Sequence, residues 1–418
     1  MAFMGVGELL VLFGLLGGAV GGTTADLEAP RDKPSQSLAW VLPEADIAAH
    51  VNVEGSIAAI TGLMDDISKL RIISDSPEFS QGMTQAKLMM GQTFEEGRKE
   101  LGMDLRVDAG SITFSMQFND DKTFKLLVRA RGNFGKSRLH ELVSREIAHS
   151  APYKKHTLFI LPEDNESRDN VLCLADNTTI LLGDRTSVEA ILDGKKLKAA
   201  KRSAAARLKK FVDRKSASFM YVSLPKWASA ELRHNRDLAL VADLLDSTDY
   251  LLYVASPRKA TLALQADNAA AASRYEYMLK SAAALLGIME PAMDAVIYGL
   301  LGIVPLVTDD ELDREVKELV NNEKGMLELG KWAKKKFGGK AKVKADRRKF
   351  LTTIELSNPM SIGGLTLPMI VGAAFYTFAR PFSEKVSPEP YGKEPQMAPP
   401  KSEPAPLDDK NNVEPRIK

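Results

Sequence analysis

A chain of 418 residues is too long for one ordinary hydrophobic core and long enough for two or three. Its 56 Lys+Arg and 55 Asp+Glu nearly cancel, so no global field draws it to nucleic acid; an electrostatic partner must be met by a local patch. The one cysteine, Cys173, excludes an internal disulfide and a Cys-ligated metal centre, and the five histidines form no close-spaced cluster.

Residues 9–25, LLVLFGLLGGAVGGTTA, carry no charge. A short apolar centre followed by small residues has the order of a secretory signal, although Glu8 stands where a basic leader is expected. The expectation is a signal-like segment over 1–25 and export of the rest of the chain. The plainer alternative is a buried N-terminal helix.

From about residue 36 to 357, short strands alternate with amphipathic helices. IAAHVNV (47–53) reads as a strand, and Ser56 is placed to cap the next helix. Asp75-Ser76-Pro77 opens a second helix that runs toward Gly102. SITFSMQF (111–118) and TFKLLVRA (123–130) flank a polar turn as a hairpin, and a helix over about 134–147 comes next. VLCLAD (171–176) and TILLG (179–183) make a further hairpin. The order then recurs: a strand at 218–224, a helical stretch to 245, a hairpin of 250–256 with 260–267, and an alanine-rich helix over about 268–287. A last hairpin pairs 341–346 with 349–356. The pattern predicts an α+β fold: antiparallel sheets with helices packed on one face, and an internal duplication of a strand-helix-hairpin-helix unit. The units are 36–194 and 195–357.

Ala130 to Ser137 matches a relaxed phosphate-loop pattern, with Gly135, Lys136 and Ser137 as the candidate phosphate and Mg²⁺ contacts. Three features argue for an accidental match. Ala130 replaces the leading glycine. The preceding strand is the second arm of a hairpin, whereas nucleotide folds of this type use parallel crossovers. The matching turn in the second half has no glycine or lysine. His140-Glu141-Leu142-Val143-Ser144 lacks the second histidine of a zinc helix, and Cys173 lies within an apolar strand. No catalytic residue, metal or cofactor is expected. Met83, Met89, Met90 and Phe94 share one helix and suit either a core or an apolar groove.

Two runs are strongly basic. Residues 195–215 and 331–349 each hold ten Lys/Arg and one acid, and both offer a positive face. In the first, Leu197, Ala204, Leu208, Phe211 and Val212 fall on one apolar side. The bland reading is a solvated helix face and a lysine-protected edge strand. The sharper one is contact with anionic lipid head groups through Lys195, Lys196, Lys201, Arg202, Lys209, Lys210, Lys334, Lys335 and Lys336. Nucleic acid is not expected, since aromatics are sparse in both runs.

Residues 359–379, PMSIGGLTLPMIVGAAFYTFA, are uncharged, about long enough to cross a bilayer, and followed by Arg380 and Lys385. A transmembrane helix over 360–379 is expected. Residues 381–418 hold 9 of the 21 prolines, mixed with charge, which predicts a disordered tail on the cytoplasmic side. The stretches KLLVRARGNFGKSRLHELV (125–143) and TTILLGDRTSVEAILDG (178–194) resemble uncharacterised bacterial envelope proteins built of repeated strand-helix-hairpin units. That resemblance implies location and a non-enzymatic role, with no catalytic residues. The sequence therefore predicts a non-catalytic, membrane-anchored envelope protein with a binding or scaffolding role, its main domain periplasmic, and a protein partner within its scope. The alternatives are a lipid or apolar-ligand carrier and a nucleotide hydrolase using 130–137.

Overall fold

The computed structural model describes residues 31–358, except 121–122, 148, 162–168, 196, 198–202, 214–215, 224, 228–229, 231–245, 257 and 290–322. The signal-like segment, the span at 360–379, the tail, and Lys196, Lys201 and Arg202 lie outside the described residues. No helix among the described residues is long and apolar enough to cross a membrane.

Twelve strands form one antiparallel sheet. The first seven are β1 (Ile47–Asn52), β2 (Ala109–Phe118), β3 (Phe124–Gly132), β4 (Ser150–Tyr153), β5 (His156–Ile160), β6 (Asn170–Asp176) and β7 (Thr179–Asp184). The other five are β8 (Ser218–Val222), β9 (Thr248–Ser256), β10 (Lys259–Ala266), β11 (Ala341–Asp346) and β12 (Leu351–Leu356). Their order is β11-β12-β10-β9-β8-β1-β2-β3-β7-β6-β5-β4. Outward from the β1–β8 pair, β1-β2-β3-β7-β6 on one side mirrors β8-β9-β10-β12-β11 on the other, and β5 and β4 extend the first half. All four expected hairpins form, with registers such as Thr113↔Arg129 and Leu262↔Tyr253.

The helices are α1 (Val53–Ser68), α2 (Pro77–Leu101), α3 (Leu139–Glu146), α4 (Arg185–Leu192), α5 (Ala204–Leu208), α6 (Ala269–Met289) and α7 (Glu323–Phe337), with single helical turns between some of them. Asn52, not Ser56, caps α1: its side chain accepts from the Gly55 N–H at 3.1 Å, while the Ser56 hydroxyl donates to Asn52 O within the first turn. Pro77 stands in the first turn of α2, and Gly102 ends it in the left-handed conformation (φ 69°), its N–H returning to Arg98 O. The helix expected from 134 begins only at Leu139. Ser137 donates both its N–H and its hydroxyl to Phe134 O, which closes a turn and spends the residues that would have been the first helical turn.

Helices cover both faces of the sheet, where one was expected. Tyr250, Leu252 and Val254 point into a core closed by Val188 of α4 and Ala204, Ala205 and Leu208 of α5. Their neighbours Leu251 and Tyr253 point the other way, onto Ala271, Tyr275 and Leu279 of α6. Successive side chains of a strand alternate in direction, so the unbroken apolar run YLLYVA must bury both faces. Each large side chain so buried contributes about 1.5–3 kcal/mol. Both cores draw residues from before and after residue 195, so one sheet runs through both sequence units.

Candidate functional site

The phosphate-loop residues lie on a tight turn at the end of β3. The N–H groups of Gly132, Asn133 and Phe134 donate to the carbonyls of Thr178, Asp108 and Asn177 at 3.1, 2.8 and 2.7 Å. A phosphate cradle needs such amides aimed at the ligand, and these are already committed. Gly135 and Lys136 are exposed; Ser137 is half-buried, with its hydroxyl engaged as above. His140 is exposed on α3, its Nδ1 3.3 Å from Ser144 Oγ. No group of metal-ligating side chains occurs among the described residues. Cys173 is fully buried on β6, and burial pushes its thiol up to about 11, which keeps it protonated.

The basic residues separate into two places. Leu208 and Val212 anchor α5 and the turn after it in the core, leaving Lys209 and Lys210 exposed; Lys195 is exposed and pairs with Asp193 at 3.1 Å. Lys334, Lys335 and Lys336 form the last turn of α7, where cations complement the helix dipole. Lys336 pairs with Asp66 of α1, while Lys334 and Lys335 are exposed. Asn358, the last described residue, donates its side-chain amide to Lys336 O and Gly338 O at 2.7 and 2.8 Å. Ser357 exchanges hydrogen bonds with Lys340, its N–H donating to Lys340 O and its hydroxyl accepting from Lys340 N–H. Asn358, where the described residues end, is therefore held at the C-terminal end of α7, next to the turn that carries this lysine cluster.

Met83, Met90 and Phe94 lie along one side of α2 with Phe79, all half-buried, whereas Met89 is 58% exposed. The four residues therefore do not share a groove. The guanidinium of Arg106 sits 5.4 Å over the Phe94 ring.

Sequence reasoning missed a polar lane inside the sheet. Ser111, Thr113 and Ser115 alternate on β2 and are buried, on the face opposite Phe114 and Met116. A strap formed by residues 31–45 lies over them. Ser111 Oγ accepts from Asp32 N–H at 3.0 Å and Ser115 Oγ from Leu42 N–H at 3.1 Å. Thr113 stands opposite both His50 on β1 and Arg129 on β3. Arg129 forms an ion pair with Asp32, and its guanidinium lies 4.4 Å from the centre of the Trp40 ring. Arg131, two residues on and facing the same way, bonds the hydroxyls of Thr178 (2.8 Å) and Thr179, and its Nε is 3.9 Å from the second Asp32 oxygen. The Nε atoms of both arginines and Nε2 of His50 are buried without a hydrogen-bond partner. Burial, then the neighbouring charge of Arg131, lowers Arg129 to about 10. The available signal was Arg129-Ala130-Arg131, following the apolar run Leu126-Leu127-Val128 and facing the Ser-x-Thr-x-Ser of its partner strand. Comparison of the chain with protein-family models, with curated proteins and with solved structures found no match.

Proposed function

We propose that this chain is a non-catalytic, membrane-anchored envelope protein whose sheet domain binds or scaffolds a partner. One observation supports the reading: the side chain of Asn358, the residue that precedes the apolar stretch 359–379 in the sequence, fastens to the end of α7, whose last turn carries the exposed Lys334 and Lys335. A span beginning there brings those lysines to the head groups of the bilayer, where each contributes about 1 kcal/mol of attraction to anionic lipid. On this reading the domain is exported, the 381–418 tail is cytoplasmic, and the mirrored strand order about β1–β8 is the trace of an internal duplication.

Fractionation of cells expressing the full chain tests it. The protein is expected in the membrane fraction through a high-salt wash, and a chain lacking 359–379 is expected in the wash. Protease added outside the inner membrane should spare the proline-rich tail. Full-length protein recovered in a detergent-free cytosolic supernatant overturns the proposal.

A further inference from the structure

The two edges of the sheet are finished differently. An edge strand leaves every second residue with its N–H and C=O aimed outward, free to pair with another strand. At the β4 edge, Ile160 N–H donates to His149 O, so alternation turns Ser150 and Pro152 outward. Proline has no N–H to offer and β4 is only four residues long, which blunts this edge. At the β11 edge, Ser357 N–H donates to Lys340 O, and the same alternation turns Ala341, Val343 and Ala345 outward. β11 ends the sheet order, so these amides and carbonyls meet no further strand among the described residues. None of the three is proline, and none carries a long side chain to bar an approaching strand.

We propose that the β11 edge takes up an extended peptide with carboxylates at every second position as one more strand, resting on the binding role proposed above but not on the membrane anchor. Charge selects the class. Ala341 and Val343 pack into the core with Tyr275 and Leu279 of α6, so Lys342 and Lys344 project from the opposite face, both exposed. Glu355 on β12 stands opposite Lys342 but bonds Lys344 Nζ at 2.9 Å, which leaves two ammonium groups to one carboxylate. Lys259 adds a third from β10, two residues from Thr261, which stands opposite Glu355. A strand added at β11 sets alternate side chains about 5 Å from Lys342 and Lys344, where acids attract and bases repel. The same lysines refuse a second copy of this edge. Antiparallel pairing centred on Val343 sets Lys342 of each copy against Lys344 of the other. Lipid head groups offer charge but no ladder of amides and carbonyls, so they leave the outward backbone of Ala341, Val343 and Ala345 unanswered. Strand addition draws affinity from that backbone and selectivity from the alternate side chains.

The test uses the full chain in neutral detergent and a fluorescently labelled peptide, Thr-Glu-Val-Glu-Val-Thr, with blocked ends. Its anisotropy should rise saturably on addition of wild type. A peptide with Lys in place of each Glu should bind about tenfold more weakly, as like charges replace two opposite pairs. Ala345→Pro removes one outward N–H and leaves the ladder to β12 intact; it should weaken binding about fivefold, the worth of one hydrogen bond. Lys342→Glu combined with Lys344→Glu should reverse the preference between the two peptides. If Ala345→Pro does not fold, wild type decides: a peptide N-methylated at both valines keeps its charge and should not bind. Equal binding of the two peptides, an unchanged preference in the double variant, or binding that survives Ala345→Pro or N-methylation overturns the proposal, as does no saturable binding. Capture of the chain by vesicles of phosphatidylcholine and phosphatidylglycerol, with no binding of the peptide, overturns it and assigns the lysines to lipid. Cell fractionation decides the anchor and this titration decides the edge, so either can fail alone.

Discussion

His50 Nδ1 lies 2.9 Å from Thr113 Oγ1, across the ladder that joins β1 to β2 near the middle of the sheet. The imidazole stacks on Phe219 and is 1% exposed. Burial lowers its pKa from 6.5 to about 3, so the fold holds it neutral. The unfolded chain takes up this proton below pH 6.5 and the folded chain does not. Stability is therefore full above pH 6.5 and falls as pH drops toward 3, by up to ~1.4 kcal/mol per pH unit. Replacing His50 with Leu should remove that slope. Urea midpoints at pH 7.5 and 5 measure it, and equal pH dependence in the two proteins contradicts the assignment.

Asp46 has the opposite sign. Burial, only partly offset by the Phe118 N–H that its carboxylate accepts at 2.8 Å, raises it to about 6. Its contribution is present below the unfolded value near 3.8 and is lost as pH rises through 6. Asn keeps the acceptor and removes the charge. After allowance for residual solvent screening, Asp46→Asn should stabilise the protein by about 1 kcal/mol at pH 8 and by nothing measurable at pH 3.5. Thermal melts at the two pH values check this, and destabilisation at pH 8 contradicts it.

Gly183 and Gly194 separate backbone strain from steric clash. Both have positive φ, +146° and +72°. A Cβ at Gly183 meets Leu126 O at 2.0 Å across the β3–β7 ladder, whereas one at Gly194 meets nothing within 4 Å. Gly194→Ala should cost about 1 kcal/mol for the left-handed conformation. Gly183→Ala should cost ~3 kcal/mol or more, because the ladder must open to admit the methyl group. Chemical denaturation of the two variants ranks them, and equal costs remove the steric argument.

Lys136→Ala should leave stability within about 0.5 kcal/mol, since the side chain is exposed on a turn. Neither wild type nor the variant should bind ATP with Mg²⁺ in calorimetry. Binding by wild type that the variant loses revives the hydrolase reading.

The local elements were legible where local chemistry decides them. Pro77 and Gly102 bracket α2, and a short turn separates each pair of β-rich runs. Strand order was not legible, because pairing joins strands far apart in the chain: β1 meets β8 from Ile47–Val222 to His50–Phe219. Nor was the polar lane. In SITFSMQF, alternation fixes which side chains point the same way, but it does not say which side meets water. The residues that look solvent-facing are Ser111, Thr113 and Ser115, and the strap buries them. Asp32 and Arg129 stand 97 positions apart, so their meeting left no mark on either local pattern. The N-terminal and C-terminal expectations fall on residues outside those described.

The mirrored order about β1 and β8 gives the molecule a seam. A break in the chain between 195 and 203 cuts none of the twelve described strands and leaves two fragments, one carrying β1–β7 and the other β8–β12. Each alone presents a naked inner strand with a row of idle amides and carbonyls, a template for clumping. Co-expressed, the fragments should find each other and rebuild the sheet. Size-exclusion chromatography distinguishes that pairing from two aggregates, and the reassembled pair would make the seam a place where the protein can be split and rejoined.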